Sequence, residues 1–210
     1  VMRRRSARVV YLGFLYNSMR RYEEAEYALK RSIALDSTLI NNWTTLGSVY
    51  NRSKQYAEAE KVLRKALLLD STSVTAWNGL GFCYFNTGRY LEAEPIFLRI
   101  VNSNNNYIAG WNNLGNIYRE MDRLDEAEKM YAKAFSIDSS FMPTYINYIQ
   151  LKLKVKDLEA GFVCLEKLLK LGYNNFAALQ GDDTYAALRA QSERWNTLMK
   201  KYFPDKVINK

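Results

Sequence analysis

The sequence predicts an all-α protein built from tandem helical hairpins. Three tryptophans, Trp43, Trp77 and Trp111, are spaced by 34 residues, and no insertion breaks the frame between them. A fixed period of this length is typical of two helices joined by short turns. The 210 residues include only three prolines and ten glycines, and 48% are hydrophobic, enough to bury a continuous core. Because no Pro/Gly/Ser-rich linker interrupts the chain, we expect one unit rather than two.

The first half of each repeat predicts an amphipathic helix with one apolar stripe. Around the tryptophans the pattern Trp-x-x-Leu-Gly-x-x-Tyr recurs at residues 43–50, 77–84 and 111–118. The spacing i, i+3, i+4, i+7 places these side chains on one helix face. The frame extends backward to Val9, Leu12, Gly13 and Tyr16, and forward, less regularly, to Tyr145, Tyr148, Ile149 and Lys152.

The second half of each repeat predicts a second helix that packs against this apolar stripe. Small residues recur there at Ala25, Ala59, Ala93 and Ala127, followed four residues later by Leu29, Leu63, Phe97 and Tyr131. Small residues permit close contact where the large side chains of the first helix protrude. Each hairpin leaves an apolar flank uncovered, so neighbouring hairpins are expected to stack.

On these residues the chain resembles the tetratricopeptide repeat family over residues 6 to about 173. The resemblance implies a right-handed superhelical α-solenoid of five repeats, at residues 6–39, 40–73, 74–107, 108–141 and 142–173. The family's proline near the repeat end is absent, and Ser37, Ser71, Asn105 and Ser139 stand there. Residues 174–210 are expected to form capping helices. Their Asp182, Tyr185, Leu188 and Trp195 resemble the end of many bacterial members, so we expect a bacterial source.

The face opposite the apolar stripe is the predicted binding surface. Helical geometry sends the second, sixth, ninth and thirteenth residues of each repeat there, and in this family that face lines the concave groove. Carboxamides on or beside it can bond to a peptide backbone without reading its side chains; they are Asn78, Asn112, Asn113, Asn116, Asn147 and Gln150. Asn113 and Asn147 resemble the asparagine ladder of glycosyltransferase and kinesin-light-chain repeats. The alternative is an ordinary solvated face.

Aromatic residues distinguish the N-terminal half of the same face. Tyr11, Phe14, Phe82 and Phe85 place apolar area on a surface expected to be wet. We interpret them as a pocket for a partner's apolar anchor, with Gly79 leaving room beside Phe82. For Tyr11 and Phe14 the alternative is contact with preceding chain, because the sequence opens on Val1 and is expected to be part of a longer protein.

Composition argues against several classes of function. The chain has no histidine, and its two cysteines, Cys83 and Cys164, match no metal or redox spacing, so we predict no catalytic residues, no metal and no cofactor. We interpret both cysteines as buried side chains. Apolar stretches fall short of a membrane span, so we expect a soluble chain, in the cytoplasm or periplasm. The basic cluster of Arg3, Arg4, Arg5 and Arg8 lacks interleaved aromatics, which disfavours nucleic acid.

The sequence therefore predicts a non-catalytic scaffold that binds a protein or peptide segment, with no small-molecule substrate. Two alternatives remain open at this point. The chain could assemble with its own copies through exposed repeat ends, or it could be the regulatory arm of a larger enzyme.

Overall fold

The computed structural model describes residues 11–207 and divides into two compact units, residues 1–110 and 111–210. The sequence predicted one continuous array, whereas the boundary between the units falls inside the first helix of the fourth repeat. The predicted repeat start at Ser6 and the basic cluster of Arg3, Arg4, Arg5 and Arg8 lie outside the described residues. Within residues 11–207 all regular structure is helical, which confirms the predicted all-α class.

Helices alternate with short turns in both units. Unit 1 contains α1 (residues 11–18), α2 (Tyr22–Leu35), α3 (Ile40–Arg52), α4 (Tyr56–Leu69), α5 (Val74–Asn86) and α6 (Tyr90–Ser103). The next helix, α7 (Ile108–Glu120), begins in unit 1 and continues into unit 2. Unit 2 continues with α8 (Leu124–Ile137), α9 (Met142–Lys154), α10 (Leu158–Lys170), α11 (Phe176–Gly181), a 3-10 turn (Asp183–Tyr185), α12 (Ala186–Arg189), α13 (Ser192–Tyr202) and α14 (Pro204–Val207).

The helix starts agree with the 34-residue period. Helices begin at Ile40, Val74, Ile108 and Met142, where the sequence places the start of a repeat. Consecutive helices pair as antiparallel hairpins, α3 with α4 and α5 with α6 in unit 1, and α9 with α10 in unit 2. The predicted solenoid of helical hairpins is thereby confirmed.

The turn inside each hairpin repeats one backbone conformation. Two residues before the second helix, the backbone has a positive φ of 60° to 74°. This occurs at five positions spaced by 34 residues: Arg20, Lys54, Gly88, Asp122 and Lys156. A left-handed residue after a helix terminates the helix and reverses the chain. Four of the five are not glycine, so the hairpin packing holds a conformation that side chains disfavour.

The turn between hairpins uses a carboxylate one residue before the position of the family's proline. The carboxylates of Asp36, Asp70 and Asp138 each accept a hydrogen bond from the backbone N–H two residues later, at 2.7–3.0 Å. Short polar side chains mimic a backbone turn in this way. The aspartates therefore stabilise the turn in the absence of proline.

The small residues of the pattern allow the two helices of a hairpin to touch. A Cβ on Gly47 would lie 2.5 Å from Leu63, and a Cβ on Gly115 would lie 2.5 Å from Tyr131. Ala59 and Ala127 are fully buried at the same crossings. The predicted contact of small residues on one helix with large ones on the other is confirmed.

The tryptophans have a polar role as well as an apolar one. The indole N–H of Trp43 donates to the Ser37 carbonyl, and that of Trp77 donates to the Ser71 carbonyl, both at 2.9 Å. In the fifth repeat Tyr145 replaces tryptophan, and its hydroxyl donates to the Ser139 carbonyl at 2.9 Å. The loop carbonyl is thus satisfied whichever aromatic residue stands there.

The C-terminal helices pack on the fifth hairpin within unit 2. Leu179, Tyr185, Leu188, Trp195 and Met199 lie in one buried cluster with side chains of α9 and α10, among them Leu165 and Leu168. Two ion pairs join α13 to α10, Arg194 with Glu159 and Lys201 with Glu166. The C-terminal segment thus covers apolar side chains of this hairpin.

Neither cysteine has the environment of a reactive thiol. Cys83 and Cys164 are free and buried, as the sequence predicted. Burial raises the pKa of the Cys164 thiol to about 11, which keeps it protonated. Among residues 11–207, none of the helices combines the length and the apolar character that a membrane crossing requires.

Candidate functional site: the first-helix face

The first-helix face, meaning the side of α1, α3, α5, α7 and α9 away from the apolar stripe, carries the predicted binding residues. In unit 1 it exposes aromatic side chains: Tyr11 is 69% exposed, Phe14 is 47% exposed and Phe82 is 43% exposed. Phe85 behaves differently, because its ring packs against Tyr90 with the centroids 5.6 Å apart. Phe85 therefore supports the hairpin rather than extending the exposed aromatic surface.

Glycine at position 79 serves helix packing. A Cβ on Gly79 would lie 3.0 Å from a Leu63 methyl, so α4 already fills the space beneath it. The carboxamide of Asn51 also donates to the Gly79 carbonyl at 2.9 Å. The sequence had suggested that Gly79 leaves room for a ligand side chain beside Phe82, and that interpretation is wrong because the neighbouring repeat occupies the space.

Asn78 points inward from α5. Its Oδ1 atom is buried, and within the described part of the chain no donor lies within hydrogen-bond distance of it. A buried acceptor without a partner costs free energy. Asn78 is half-buried beside the face, and its Oδ1 atom does not reach solvent.

In unit 2 two predicted residues bond to each other. Asn147 on α9 donates from Nδ2 to the Oδ1 of Asn112 on α7 at 3.0 Å. Asn112 is buried. Asn113, at the sixth place, is partly exposed. The structure thus brings Asn112 and Asn147 together and leaves Asn113 on the surface.

The two remaining carboxamides of unit 2 also have neighbours. Asn116 accepts a 2.6 Å hydrogen bond from the Tyr131 hydroxyl, and burial raises the pKa of that phenol, which keeps it a donor. Gln150 donates to the Thr184 hydroxyl at 3.5 Å, so the 3-10 turn borders the face. Each side chain is held in one orientation while remaining partly exposed.

Two basic residues, Arg119 and Lys154, complete this part of the face, and neither was among the predicted binding residues. Arg119 is buried on α7, donates to the Asn147 carbonyl at 3.2 Å and pairs with Glu120. Lys154 donates to the Arg119 carbonyl at 2.8 Å and pairs with Asp122. A sequence signal existed, because Arg119 stands 68 residues after Asn51, which makes the corresponding bond to Gly79.

The face is suited to hydrogen bonding rather than to bond-breaking chemistry. In residues 11–207 no three His, Cys, Asp or Glu side chains gather in a group that could hold a metal ion. The predicted binding residues of this face in unit 2 are carboxamides, which donate and accept hydrogen bonds but do not transfer protons near neutral pH. Oriented carboxamides of this kind match the alternating N–H and C=O groups of an extended peptide.

Comparison with protein-family models gives two matches. Residues 71–140 match the model described as tetratricopeptide repeat. Residues 18–100 match the model described as anaphase-promoting complex, cyclosome, subunit 3. No curated protein matches the chain.

Solved structures with the same fold are numerous, and three illustrate the similarity. YrrB, described as a TPR protein with an unusual peptide-binding site, is 22% identical over 82% of this chain and 89% of its own, with a TM-score of 0.60. PilF of Pseudomonas aeruginosa is 19% identical over 97% and 94%, with a TM-score of 0.74. MamA is 23% identical over 76% and 94%, with a TM-score of 0.63. The model match at residues 71–140, the 34-residue period and the paired helices show that this chain contains tetratricopeptide repeats, and its fold is that of these structures.

Proposed function

We propose that the chain is a non-catalytic protein-interaction scaffold whose first-helix face binds an extended peptide segment. The observation that carries this proposal is the set of oriented carboxamides in unit 2, where Asn147 is held by Asn112 and its backbone carbonyl by Arg119. Side chains fixed before binding lose less conformational entropy when a ligand arrives. YrrB, of the same fold, is described as having a peptide-binding site, which supports this proposal.

The spacing of the face suits a peptide backbone. Stacked helices lie about 8–10 Å apart, and an extended chain advances about 3.3 Å per residue. Asn113 and Asn147 stand one repeat apart, so both can contact one strand at positions about two to three residues apart. Because carboxamides contact the backbone, the peptide's side chains contribute little to recognition in unit 2.

The aromatic surface of unit 1 gives the scaffold a second mode of recognition. Phe14 and Phe82 occupy the ninth place of their repeats, where unit 2 has Asn116 and Gln150. Exposed aromatic side chains are frequent anchors at protein interfaces. We therefore treat the two surfaces separately: the Phe82 surface of unit 1 accepts an apolar side chain, and the Asn113 and Asn147 surface of unit 2 contacts a peptide backbone.

A display library of peptides about ten residues long, which extend over roughly 33 Å, identifies the ligand. Calorimetric titration of a selected peptide then tests the site. The double change Asn113→Ala and Asn147→Ala removes two neutral hydrogen bonds of about 0.5–1.5 kcal/mol each. The affinity should fall roughly 5- to 150-fold. For a peptide bound at unit 2, methylation of backbone nitrogens should weaken binding more than alanine substitution of its side chains.

Asn174→Ala is the matched control, because Asn174 is an exposed asparagine in the turn before α11 and belongs to none of the first helices. It should bind the peptide as the unaltered chain does. Equal affinity of the double variant, at matched thermal stability, would remove the carboxamides from the mechanism. If only Phe82→Ala lowered the peptide affinity, the aromatic surface rather than the carboxamides would be the binding site.

A further inference from the structure

A second surface lies between α1 and α2 and is separate from the first-helix face. It is a groove of about 510 Å³, lined by Leu12 and Tyr16 of α1 and by residues of α2 that include Tyr27, Ala28 and Leu35. Leu12, Tyr27 and Leu35 are exposed along it. None of the residues that line the groove comes from α3.

Within unit 1 the same positions are covered in the second and third repeats. Leu12 is 41% exposed, whereas its equivalents Leu46 and Leu80 are each 2% exposed. There α2 packs on α3 and α4 packs on α5, so each first helix receives the second helix of the preceding repeat. The groove thus lies where a helix sits in the following repeats.

A glutamate on the covering helix makes the polar contact in both equivalents. The Tyr50 hydroxyl donates to Glu26 of α2 at 3.0 Å, and the Tyr84 hydroxyl donates to Glu60 of α4 at 3.0 Å. In the first repeat Tyr16 takes the place of these tyrosines. Among residues 11–207 no carboxylate is bonded to the Tyr16 hydroxyl.

Arg21, beside Tyr16, has the position that Arg89 has beside Tyr84, where a glutamate of the covering helix binds. Arg89 lies over the Tyr84 ring at 4.1 Å, pairs with Glu92 of its own helix and donates from Nη1 to Glu60 at 2.6 Å. Arg21 likewise lies over the Tyr16 ring at 4.7 Å and pairs with Glu24 through Nε and Nη2. Tyr84 and Arg89 share the carboxylate of Glu60, with Arg64 of the same helix beside it, whereas Tyr16 and Arg21 have no equivalent group from a covering helix among the described residues. A phenol and a guanidinium with this geometry favour an acidic group on the occupant.

We propose that this groove binds an amphipathic helix of a partner protein, seated as α4 sits on α5. The helix carries a glutamate against Tyr16 and Arg21, and an apolar residue one turn later against α1, as Leu63 follows Glu60. A folded second copy offers no such helix among its described residues. Its second helices of this pattern, α2, α4, α6, α8 and α10, already bury their apolar stripes, and α13 buries Trp195 and Met199.

The test uses a 14-residue peptide with the sequence of α4, residues 56–69. A short helix is marginal in water, so the peptide is stapled between the positions of Lys61 and Lys65, which are exposed on α4. Fluorescence anisotropy against the whole chain should show saturable binding. Tyr16→Phe should weaken it roughly 2- to 12-fold, the effect of one hydrogen bond, and Leu12→Asp should abolish it.

A double-mutant cycle identifies the contact. A peptide with glutamine at the position of Glu60 should bind more weakly, and Tyr16→Phe should then have a smaller further effect. Tyr50→Phe is the matched control, since it removes the same hydroxyl from a contact that α2 already occupies, and peptide affinity should be unchanged. Circular dichroism checks that each variant folds.

Three results would overturn the proposal. The first is no binding of the stapled peptide, and the second is binding that Leu12→Asp leaves intact. The third is a concentration-dependent dimer in sedimentation experiments that Leu12→Asp abolishes, because the occupant of the groove would then be a second copy.

Discussion

The first-helix faces of the two units share a framework but differ in chemistry. In unit 1 the sixth and ninth places of the third repeat hold Gly79 and Phe82, and in unit 2 those of the fifth hold Asn147 and Gln150. Beneath both faces a glycine lies against a large residue of the second helix, Gly47 against Leu63 and Gly115 against Tyr131. The hairpin packing therefore leaves the ninth place free to vary, whereas Gly79 at the sixth place is itself packed against Leu63.

The residues that link neighbouring first helices differ in the same way. Asn51 and Arg119 occupy the same repeat position and both donate to the backbone carbonyl of the sixth residue of the next repeat. In unit 1 the donor is a neutral amide, and in unit 2 it is a guanidinium that also pairs with Glu120. The same backbone group is thus reached by two side chains of different charge and length.

Adding a methyl group to the shared framework should have the largest effect. Gly47→Ala and Gly115→Ala each place a Cβ 2.5 Å from a side chain of the facing helix. Overpacking of this kind costs about 1–3 kcal/mol, and both units should lose stability. Urea unfolding followed by circular dichroism measures the change. Gly181→Ala is the control, because nothing lies within 4 Å of its added Cβ; equal behaviour of all three variants would contradict the assigned packing role.

Removal of the donor that links neighbouring first helices should destabilise unit 2 more than unit 1. Arg119→Met keeps the apolar stem but withdraws the bond to the Asn147 carbonyl, at a cost of about 1.5 kcal/mol for a charged donor. Asn51→Ala should cost roughly 0.5 kcal/mol, the low end for a neutral bond, because the buried Asn51 Oδ1 without a partner is removed with it. Free energies of unfolding at neutral pH test the difference, and a larger loss for Asn51→Ala would reverse the ranking.

Acid should weaken one ion pair in each unit. Of the three predicted changes in stability, we expect this one to be the smallest. Hydrogen bonds from Lys152 and Tyr148 hold the pKa of Glu128 below its ordinary value of 4.5. The Glu128 carboxylate therefore binds a proton more tightly in the unfolded chain than in the folded one. Its contribution to the stability of the fold is present above about pH 4.5 and is lost as the pH falls through the folded pKa. The stability advantage over Glu128→Gln should shrink between pH 7 and pH 3.

Glu60 in unit 1 should show the same sign. Burial acts to raise its pKa, but hydrogen bonds from Arg89, Arg64 and Tyr84 bring the pKa below the ordinary value. The loss of stability caused by Glu60→Gln should accordingly become smaller as the pH falls. Glu193→Gln, an exposed change on α13, serves as the control. An advantage that grew in acid would contradict the assigned hydrogen bonds.

The sequence by itself determined the helices and the core of each hairpin. Helix starts at Ile40, Val74, Ile108 and Met142 follow from the 34-residue period, and the buried stripe follows from the spacing of Trp, Leu, Gly and Tyr. These features are readable because helical geometry relates residues three and four positions apart in the same segment. The exposed aromatic residues Tyr11 and Phe82 follow from the same geometry.

Only the tertiary structure decided which polar groups of the face are free. Asn112 is buried under Asn147, Arg119 reaches the Asn147 carbonyl, and Leu63 fills the space beside Gly79. Each of these contacts joins residues about 15 to 35 positions apart, on different helices. The period of one helix shows which side a residue faces, but the side chain it meets depends on how the next hairpin packs against it.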